Sequence, residues 1–516
     1  MRKSTGAVNS AKIENKNRER GWKNTLSIFI RTRSRLISVM SAGIVLFWLT
    51  AGPALAQTAF DFSGMVKLFL SFYTSSNEND AMFTPHESGD FAFKRVEGRF
   101  KLQARVSENV SAQVRLDAFS DPEAIFSGGG FPEASELASP TKTEPFELSL
   151  YEAFIRVNHF LLKNLDLTVG KQRNQWGTAD KLNVVDNLNP VDFANFLTFD
   201  PDYYLERRPQ TAINLEYYLG RQSKLQAVWL PQRQYAPLPV GFSEMVRANL
   251  PGLADPEIIV TRDASNLRNT GFGLRFTTNL FNVDFGLSYY SGNFNLPYVQ
   301  GVELSSPLEP APARVYFSYP KKQVLGLDLA GEIKSVGFWA EVARVQPEKI
   351  LGWLDAYVVV GNEIYPVHSV FPLMKSDYWQ WAVGMDYTFS VAGGLYVNMQ
   401  YLRGLFDEAE FSGQAAASFG LRKGMWFGQA QDYLAGRTEL RLLKGDLKAS
   451  LNAVWSPGAG DSSRGSAIFY PSVEYKVHDA VSVQAGGILA AGDQYRSKFG
   501  GFKRDRVVYL LTKITF

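Results

Sequence analysis

Arg95-Val96-Glu97-Gly98-Arg99-Phe100-Lys101-Leu102-Gln103-Ala104-Arg105-Val106 keeps a two-residue period without a break. Arg95, Glu97, Arg99, Lys101, Gln103 and Arg105 fall on one face, and Val96, Gly98, Phe100, Leu102, Ala104 and Val106 on the other. That is the period of an extended strand; a helix repeats its face every 3.6 residues and would scatter the arginines around its circumference. A strand of a soluble sandwich turns its apolar face to a core. A strand of a membrane barrel is about ten residues long, with its apolar face on lipid and its polar face on the lumen. The length and charge of this segment predict the second arrangement.

The pattern extends in both directions. Val66, Leu68, Leu70 and Phe72 alternate with Lys67, Phe69, Ser71 and Tyr73. Ala112, Val114 and Leu116 alternate with Gln113, Arg115 and Asp117. Tyr151, Ala153, Ile155 and Val157 are set against Glu152 and Arg156, and Leu165, Leu167 and Val169 against Asp166 and Thr168. Further segments centre on Ile213, Leu225, Leu274, Phe285, Leu327, Ala340, Val383, Val397, Leu440, Leu451, Val473 and Val483, with the phase least regular near Leu225 and Ala340. The last runs Val508, Leu510, Thr512, Ile514, Phe516. These segments predict an all-β, antiparallel up-and-down transmembrane barrel of about 18 strands, with 16 as the alternative.

The connections alternate in length. Ser107–Asn109, Asn279–Asn282, Val391–Gly394, Lys444–Asp446 and His478–Ala480 are short, whereas 74–89, 120–145, 174–208, 232–269, 291–320, 347–377, 404–430, 457–465 and 491–505 are long. Short periplasmic turns and long extracellular loops are expected of bacterial outer-membrane barrels. A soluble propeller has no such binary rhythm. Phe72, Tyr73, Trp229, Tyr289, Tyr290, Trp379, Trp381, Phe389, Trp455, Phe469 and Tyr470 fall near segment ends, where interfacial girdles are built.

Residues 1–56 are of another kind. They hold ten of the 54 Lys and Arg but two of the 51 acids, leaving 44 basic against 49 acidic residues and a charge near −5 beyond residue 56. The basic balance therefore belongs to the leader, and a nucleic-acid partner loses its support. The basic stretch ends at Arg35, an apolar run follows from Leu36 to Leu49, and Ala54-Leu55-Ala56 offers a small-residue cleavage site before Gln57. The reading is a signal peptide with an extended basic n-region over 1–56, Sec-type export, and one barrel domain over 57–516. An uncleaved membrane anchor is the alternative. No apolar run after Gln57 approaches the ~20 residues that a spanning helix needs. The chain has no cysteine, so disulfides and thiolate metal sites are excluded.

Chemistry has few footholds. His86 and His368 fall in long loops, His159 and His478 in short turns, none on a strand beside a candidate serine or acid. General-base catalysis and histidine-cluster metal sites are therefore not expected, no cofactor is implied, and the reading is not an enzyme. The predicted pore-lining set is Arg95, Glu97, Arg99, Lys101, Arg105, Arg115 and Asp117 on adjacent strands, with Arg437, Glu439 and Arg441 on a later one. Such charges concentrate counter-ions and align a solute dipole in a narrow pore. They can equally pair across strands, with Glu97, Asp117 and Glu439 as the partners, and both can hold at once.

The loop 174–208 stands out. It carries Trp176, Asp180, Asp186, Asn189, Asp192, Asp200, Asp202 and Glu206, together with Val184, Val185, Phe193, Phe196, Leu197 and Phe199, which are too apolar for a solvated loop. Folding inward onto the wall resolves this and predicts a constriction. In that respect the loop resembles the third loop of general porins, and the resemblance implies that Asp180, Asp186 and Asp192 oppose some of Arg95, Arg99, Lys101 and Arg105. Gly170-Lys171-Gln172-Arg173-Asn174-Gln175-Trp176-Gly177, continuing to Asn189-Pro190-Val191-Asp192, resembles the G-[KR]-Q-x-x-x-W-G … N-P-x-D pattern of a large group of proteobacterial outer-membrane barrels, related in style to alginate-export and carbohydrate porins. The alternating end with terminal Phe516 resembles the signal read by the barrel-assembly machinery.

The implied setting is the outer membrane of a Gram-negative bacterium, with lipid and the assembly machinery as partners and a small hydrophilic solute as cargo. A porin-like channel is the leading reading and a structural or adhesive barrel the alternative. A homo-oligomer and a monomer both stay open. A TonB-dependent transporter is set aside, because alternation begins within ten residues of Gln57 and leaves no room for a plug domain. An efflux trimer needs long helices that the pattern lacks.

Overall fold

A computed structural model describes residues 59–516 except 78–85, 121–145, 194–205, 233–234, 239–255, 262–265, 306–312, 406–407, 422–427, 459–463 and 495. The leader expected over 1–56, the loop 121–145, and Phe196, Leu197, Phe199, Asp200 and Asp202 lie outside the described residues. Twenty-three strands are described: β1 (Ala59–Tyr73), β2 (Phe91–Arg105), β3 (Val110–Ser120), β4 (Phe146–Val157), β5 (Leu165–Gln172), β6 (Gln210–Leu219), β7 (Ser223–Leu230), β8 (Glu257–Thr261), β9 (Gly271–Leu280), β10 (Val283–Asn293), β11 (Tyr298–Glu303), β12 (Arg314–Ser318), β13 (Lys321–Ile333), β14 (Val336–Pro347), β15 (Leu351–Val360), β16 (Glu363–Pro372), β17 (Tyr378–Phe389), β18 (Leu395–Arg403), β19 (Asp432–Leu442), β20 (Leu447–Ser456), β21 (Ser466–His478), β22 (Val481–Ala491) and β23 (Val507–Thr515).

Eighteen of them form one closed antiparallel barrel. Each barrel strand pairs with the next, and β23 returns to β1 in register from Met65↔Thr515 to Tyr73↔Val507. Phe516 completes the seam: its N–H donates to the Gly64 carbonyl at 3.0 Å and its carbonyl accepts from the Gly64 N–H at 2.8 Å. All eighteen expected segments are barrel strands, so the 16-strand alternative falls away. Phe60–Gln103 and Asn109–Phe516 form one compact unit. Among the short turns, Phe281-Asn282 and Lys334-Ser335 carry paired positive φ angles, the type I′ geometry whose twist matches that of two antiparallel strands.

The outward faces expose Val66, Leu68, Val96, Leu102, Leu325 and Val383, while Lys67, Glu97, Asp117, Asp328 and Glu341 are buried on the inward side. Leu225 and Ala340, where the sequence phase was least regular, resolve cleanly, with Leu225 exposed and Ala340 between the buried Trp339 and Glu341. Two details differ from the sequence reading. In β4 the register slips by one residue, so that Arg115 pairs with Glu152 and Leu116 with Leu150. Tyr151 is the extra residue of a β-bulge, and the bulge turns it inward, off the apolar face expected for it. Of the expected girdle aromatics, Trp379, Phe389 and Trp455 are outward and exposed, but Tyr73 and Tyr290 are buried.

The long-loop end holds a second sheet that strand alternation did not reveal. β16, β15, β11, β12 and β8 lie side by side in that order. They come from the segments 232–269, 291–320 and 347–377, read above as connections. Phe294, Tyr298, Val315, Phe317 and Phe371 belong to the same buried cluster as Trp176, Val184, Val185 and Leu188 of the 174–208 loop. One apolar core thus spans the folded loops and the loop beneath them.

Candidate functional site in the barrel lumen

The segment after β5 enters the barrel through a chain of side-chain bonds to the wall. Gly170 has φ +131°. The Gln172 amide donates to the carbonyls of Thr168 and Ala212, both at 3.2 Å. Trp176 is 1% exposed, and its indole N–H donates to Gln226 Oε1 at 2.9 Å. It lies across Gly273, where a Cβ would stand 2.5 Å from the indole ring. Asn189 ties the two ends of the loop together, accepting from the Asn174 N–H at 2.9 Å and donating to the Arg208 carbonyl at 2.7 Å. The Gly-x-Gln … Trp-Gly … Asn-Pro-x-Asp pattern therefore encodes the docking of this loop.

The centre of the docking is a residue that the sequence reading missed. Glu341, on the inward face of β14 and 3% exposed, accepts the backbone N–H groups of Thr178 (2.6 Å), Ala179 (2.8 Å), Val184 (2.8 Å) and Val185 (3.3 Å), and the Asn183 amide at 3.3 Å. Gly177 has φ +87°, and a Cβ there would meet Glu341 Oε1 at 2.4 Å, so the loop needs glycine at this point. Charge-assisted bonds of this kind are about twice as strong as neutral ones. Five of them on one carboxylate hold the turn 178–185 on the wall. No sequence signal marks Glu341, because four of these five donors are backbone groups.

The predicted constriction residues divide. Asp180 approaches Arg437 at 3.9 Å, with its N–H on Gln400 Oε1. Asp186 lies 3.4 Å from Arg207, and Asp192 2.8 Å from Arg208. Burial pushes the Asp186 carboxyl up, against the pull of Arg207 and Arg173. Asp180, Asp186 and Asp192 thus meet Arg437, Arg207 and Arg208, none of which lies on β2. The loop returns on itself, so its own Arg207 and Arg208 meet two of the acids. The acid that reaches the basic wall is Glu206, 4.0 Å from Arg115.

The predicted lumen charges are heavily paired on one side. Lys67 and Glu97, both fully buried, meet at 2.7 Å. Arg99 lies 3.4 Å from Glu97 and 3.7 Å from Asp117; Arg115 lies 2.8 Å from Asp117 and stacks 3.8 Å from the centre of the inward-turned Tyr151 ring. Arg95 covers Phe93 and Phe119 at 4.5 and 4.9 Å. Lys101 is half-buried and Arg105, at the end of β2, exposed. On β19 Arg437 pairs with Glu439 at 2.8 Å and Arg441 is exposed.

Two cavities open beside Arg437. One of about 520 Å³ is lined by residues that include Arg173, Asp180, Lys181, Glu206, Asp386 and Tyr396. Another of about 290 Å³ is lined by residues that include Asp180, Glu439, Lys448, Asn452, Glu474 and Tyr509. Asp180, Lys181, Asn398 and Arg437 belong to both, so the tip of the docked loop and one patch of wall stand between them. Two histidines meet acids, contrary to the expectation that none lies beside one, and His368 sits on β16 opposite Asp355. His86 is buried against Tyr73, 3.7 Å from Asp505, and His368 bonds Asp355. Among the described residues no group of three or more His, Cys, Asp or Glu is placed to hold a metal ion.

A closed 18-stranded antiparallel barrel with a loop docked on its inner wall defines the class of this protein. The chain belongs to the family described as "protein of unknown function (DUF1302)", whose model matches residues 4–422. No curated protein matches it. Among solved structures it is similar to OccAB3 of Acinetobacter baumannii, at 11% identity over 89% of this chain and 99% of that one, TM-score 0.46. It is similar also to OccK9 (OpdG) of Pseudomonas aeruginosa, at 8% identity over 89% and 97%, TM-score 0.46. The outer membrane channel DcaP of Acinetobacter baumannii matches at 11% identity over 89% and 98%, TM-score 0.39.

Proposed function

We propose that the protein is a porin-like channel of a Gram-negative outer membrane, through which small hydrophilic solutes diffuse past the docked 174–193 turn. The observation that carries this reading is the pair of polar cavities of about 520 and 290 Å³ that share Asp180, Lys181, Asn398 and Arg437. A loop tip facing a charged wall between two open cavities has the form of a constriction. The exposed apolar faces of the strands suit lipid, the leader over 1–56 suits Sec-type export, and the closing strand with Phe516 suits recognition by the barrel-assembly machinery. The reading involves no catalysis and no cofactor.

A second reading draws on the folded long loops. Their buried cluster with Val184, Val185 and Leu188 is what a structural or adhesive barrel with an occluded mouth would use. Planar-bilayer recording of the refolded full-length barrel separates the two. Stepwise conductance, with a reversal potential that responds to substitution of Arg437, supports the channel. A correctly folded barrel that inserts and passes no current supports the occluded reading and overturns the channel.

A further inference from the structure

A third cavity lies where the loop 174–208 meets the connections at the long-loop end. It has a volume of about 60 Å³, and Asp186, Arg207, Lys322, Tyr378 and Gln380 are among the residues that line it. Asn183 and Arg207 line the cavity of about 520 Å³ as well, so the three cavities follow one another along the docked loop. Val191, Phe193, Phe294, Leu296 and Leu402 supply its apolar side.

The charges around this cavity do not cancel. Asp186 pairs with Arg207 at 3.4 Å, and Glu408 with the fully buried Lys498 at 3.2 Å. The Arg207 guanidinium is further committed to the carbonyls of Asn189 at 3.0 Å and Asn183 at 3.3 Å. Lys322 is left over. Its ammonium donates to Asn187 Oδ1 at 2.5 Å and sits 4.6 Å from the centre of the Phe294 ring, and among the described residues no carboxylate pairs with it. An ammonium carries three N–H donors, so two stay open to a guest. Tyr378 is 6% exposed, yet among the described residues neither its hydroxyl nor the Gln380 amide has a hydrogen-bond partner. Buried polar groups are satisfied as a rule, and an uncompensated cation away from bulk water is costly.

These open groups share one chemistry. Lys322, Tyr378 and Gln380 can all donate, and the surplus around them is a single positive charge. The space is small: at ~15 Å³ for each water it admits, it holds about four. A carboxylate only accepts, carries one negative charge and offers two oxygens to several donors. A phosphate monoester brings a charge of about −1.5 to −2 and a third acceptor oxygen, more than one free ammonium balances. A neutral sugar would leave Lys322 uncompensated. The apolar side of the cavity suits a short carbon stem behind the charged head.

We propose that this cavity is a binding subsite for the carboxylate of a small organic monoanion, held by Lys322 with the Tyr378 hydroxyl and the Gln380 amide. The inference names a solute class for the channel proposed above and rests on that reading for its place in a transport path; binding itself does not depend on conduction. The test is a saturation-transfer NMR titration of the refolded full-length barrel in detergent micelles with butyrate, butyramide and inorganic phosphate. Heat-modifiable gel mobility verifies that each variant is folded. Butyrate is expected to bind saturably, and butyramide and phosphate about tenfold or more weakly. Lys322→Gln should weaken butyrate about tenfold and Tyr378→Phe about threefold, while Lys321→Gln, outside the cavity, leaves it unchanged. If Lys322→Gln fails to fold, the difference between butyrate and butyramide and the Tyr378→Phe loss decide. Equal binding of butyrate and butyramide, tighter binding of phosphate, or butyrate binding that a folded Lys322→Gln or Tyr378→Phe barrel retains in full overturns the proposal. A barrel that binds butyrate through Lys322 but passes no current in a bilayer fails the channel reading alone, and one that conducts without binding butyrate fails this one alone.

Discussion

The two walls of the lumen are built from the same residue types and differ in what is left over. On β1–β4 the cations and acids cancel in contact: Lys67 on Glu97, Arg99 on Glu97 and Asp117, Arg115 on Asp117, with Glu206 of the loop closing the set. On β18–β23 the pairs Arg437–Glu439 and Lys448–Glu474 stay about one-third exposed on their cations and face open cavities. Charge density alone does not locate a pore. The charges of β1–β4 close on one another, whereas those of β18–β23 border open cavities, and the turn 178–185 between those cavities hangs on Glu341.

Removing that anchor should have the largest effect. Glu341→Ala leaves four backbone donors without their acceptor, each worth about 1–3 kcal/mol while buried, so the turn should leave the wall to find water. Single-channel conductance is then expected to rise severalfold and ion selectivity to weaken. An unchanged conductance in a folded Glu341→Ala barrel would break the link between loop position and the asymmetry of the walls.

Next in size is cohesion itself. Lys67→Ala takes the 2.7 Å partner from the fully buried Glu97, and breaking a buried pair from one side costs about 3–5 kcal/mol. Lys448→Ala removes the partner of Glu474 on the open wall, where such pairs contribute about 0–1 kcal/mol. Denaturant unfolding in detergent should rank the two variants accordingly, and equal losses would mean that the two walls are not different in kind.

Selectivity should rank the other way. Arg437 borders both cavities, while Arg115 is 13% exposed and pressed on Asp117 and Tyr151. Arg437→Gln is expected to move the reversal potential in a salt gradient toward cations, and Arg115→Gln to leave it nearly unmoved. A larger shift from Arg115→Gln would place the current path along β1–β4.

How much of this was legible depends on whether a feature is periodic, local or tertiary. The barrel strands could be read because lipid on one side and lumen on the other impose a two-residue alternation. Tyr151 broke that reading, since one bulge residue reverses the phase of everything before it. The outer sheet was invisible for the opposite reason: Ile258-Ile259-Val260 and Val358-Val359-Val360 are apolar on both faces, so they show no alternation and pass for loop. The inward folding of 174–208 was legible from Trp176, Val184 and Val185 in a polar setting. Its partners were not. Glu341 binds backbone groups, and the returning Arg207 and Arg208 were close in sequence but not weighed against Asp186 and Asp192.

The smallest expected effect is a pH dependence at the joint between loop and paired wall. Burial raises the Glu206 carboxyl above its ordinary value, more than Arg99, Arg115 and the Tyr151 hydroxyl lower it. For an acid whose folded value is raised, the unfolded chain releases its proton first, near the ordinary value of about 4.3. The stabilising contribution is thus fully present below that pH and is lost as pH rises through the raised value, after which it stays constant. Glu206→Gln keeps the shape and removes the titration, so it should gain stability relative to the wild type as pH rises from about 4 to 7. Thermal unfolding of both proteins across that range checks the sign. If the wild type instead gains on Glu206→Gln with rising pH, then Arg99 and Arg115 outweigh burial, and the β1–β4 wall holds a surplus of cation that the loop acid is there to neutralise.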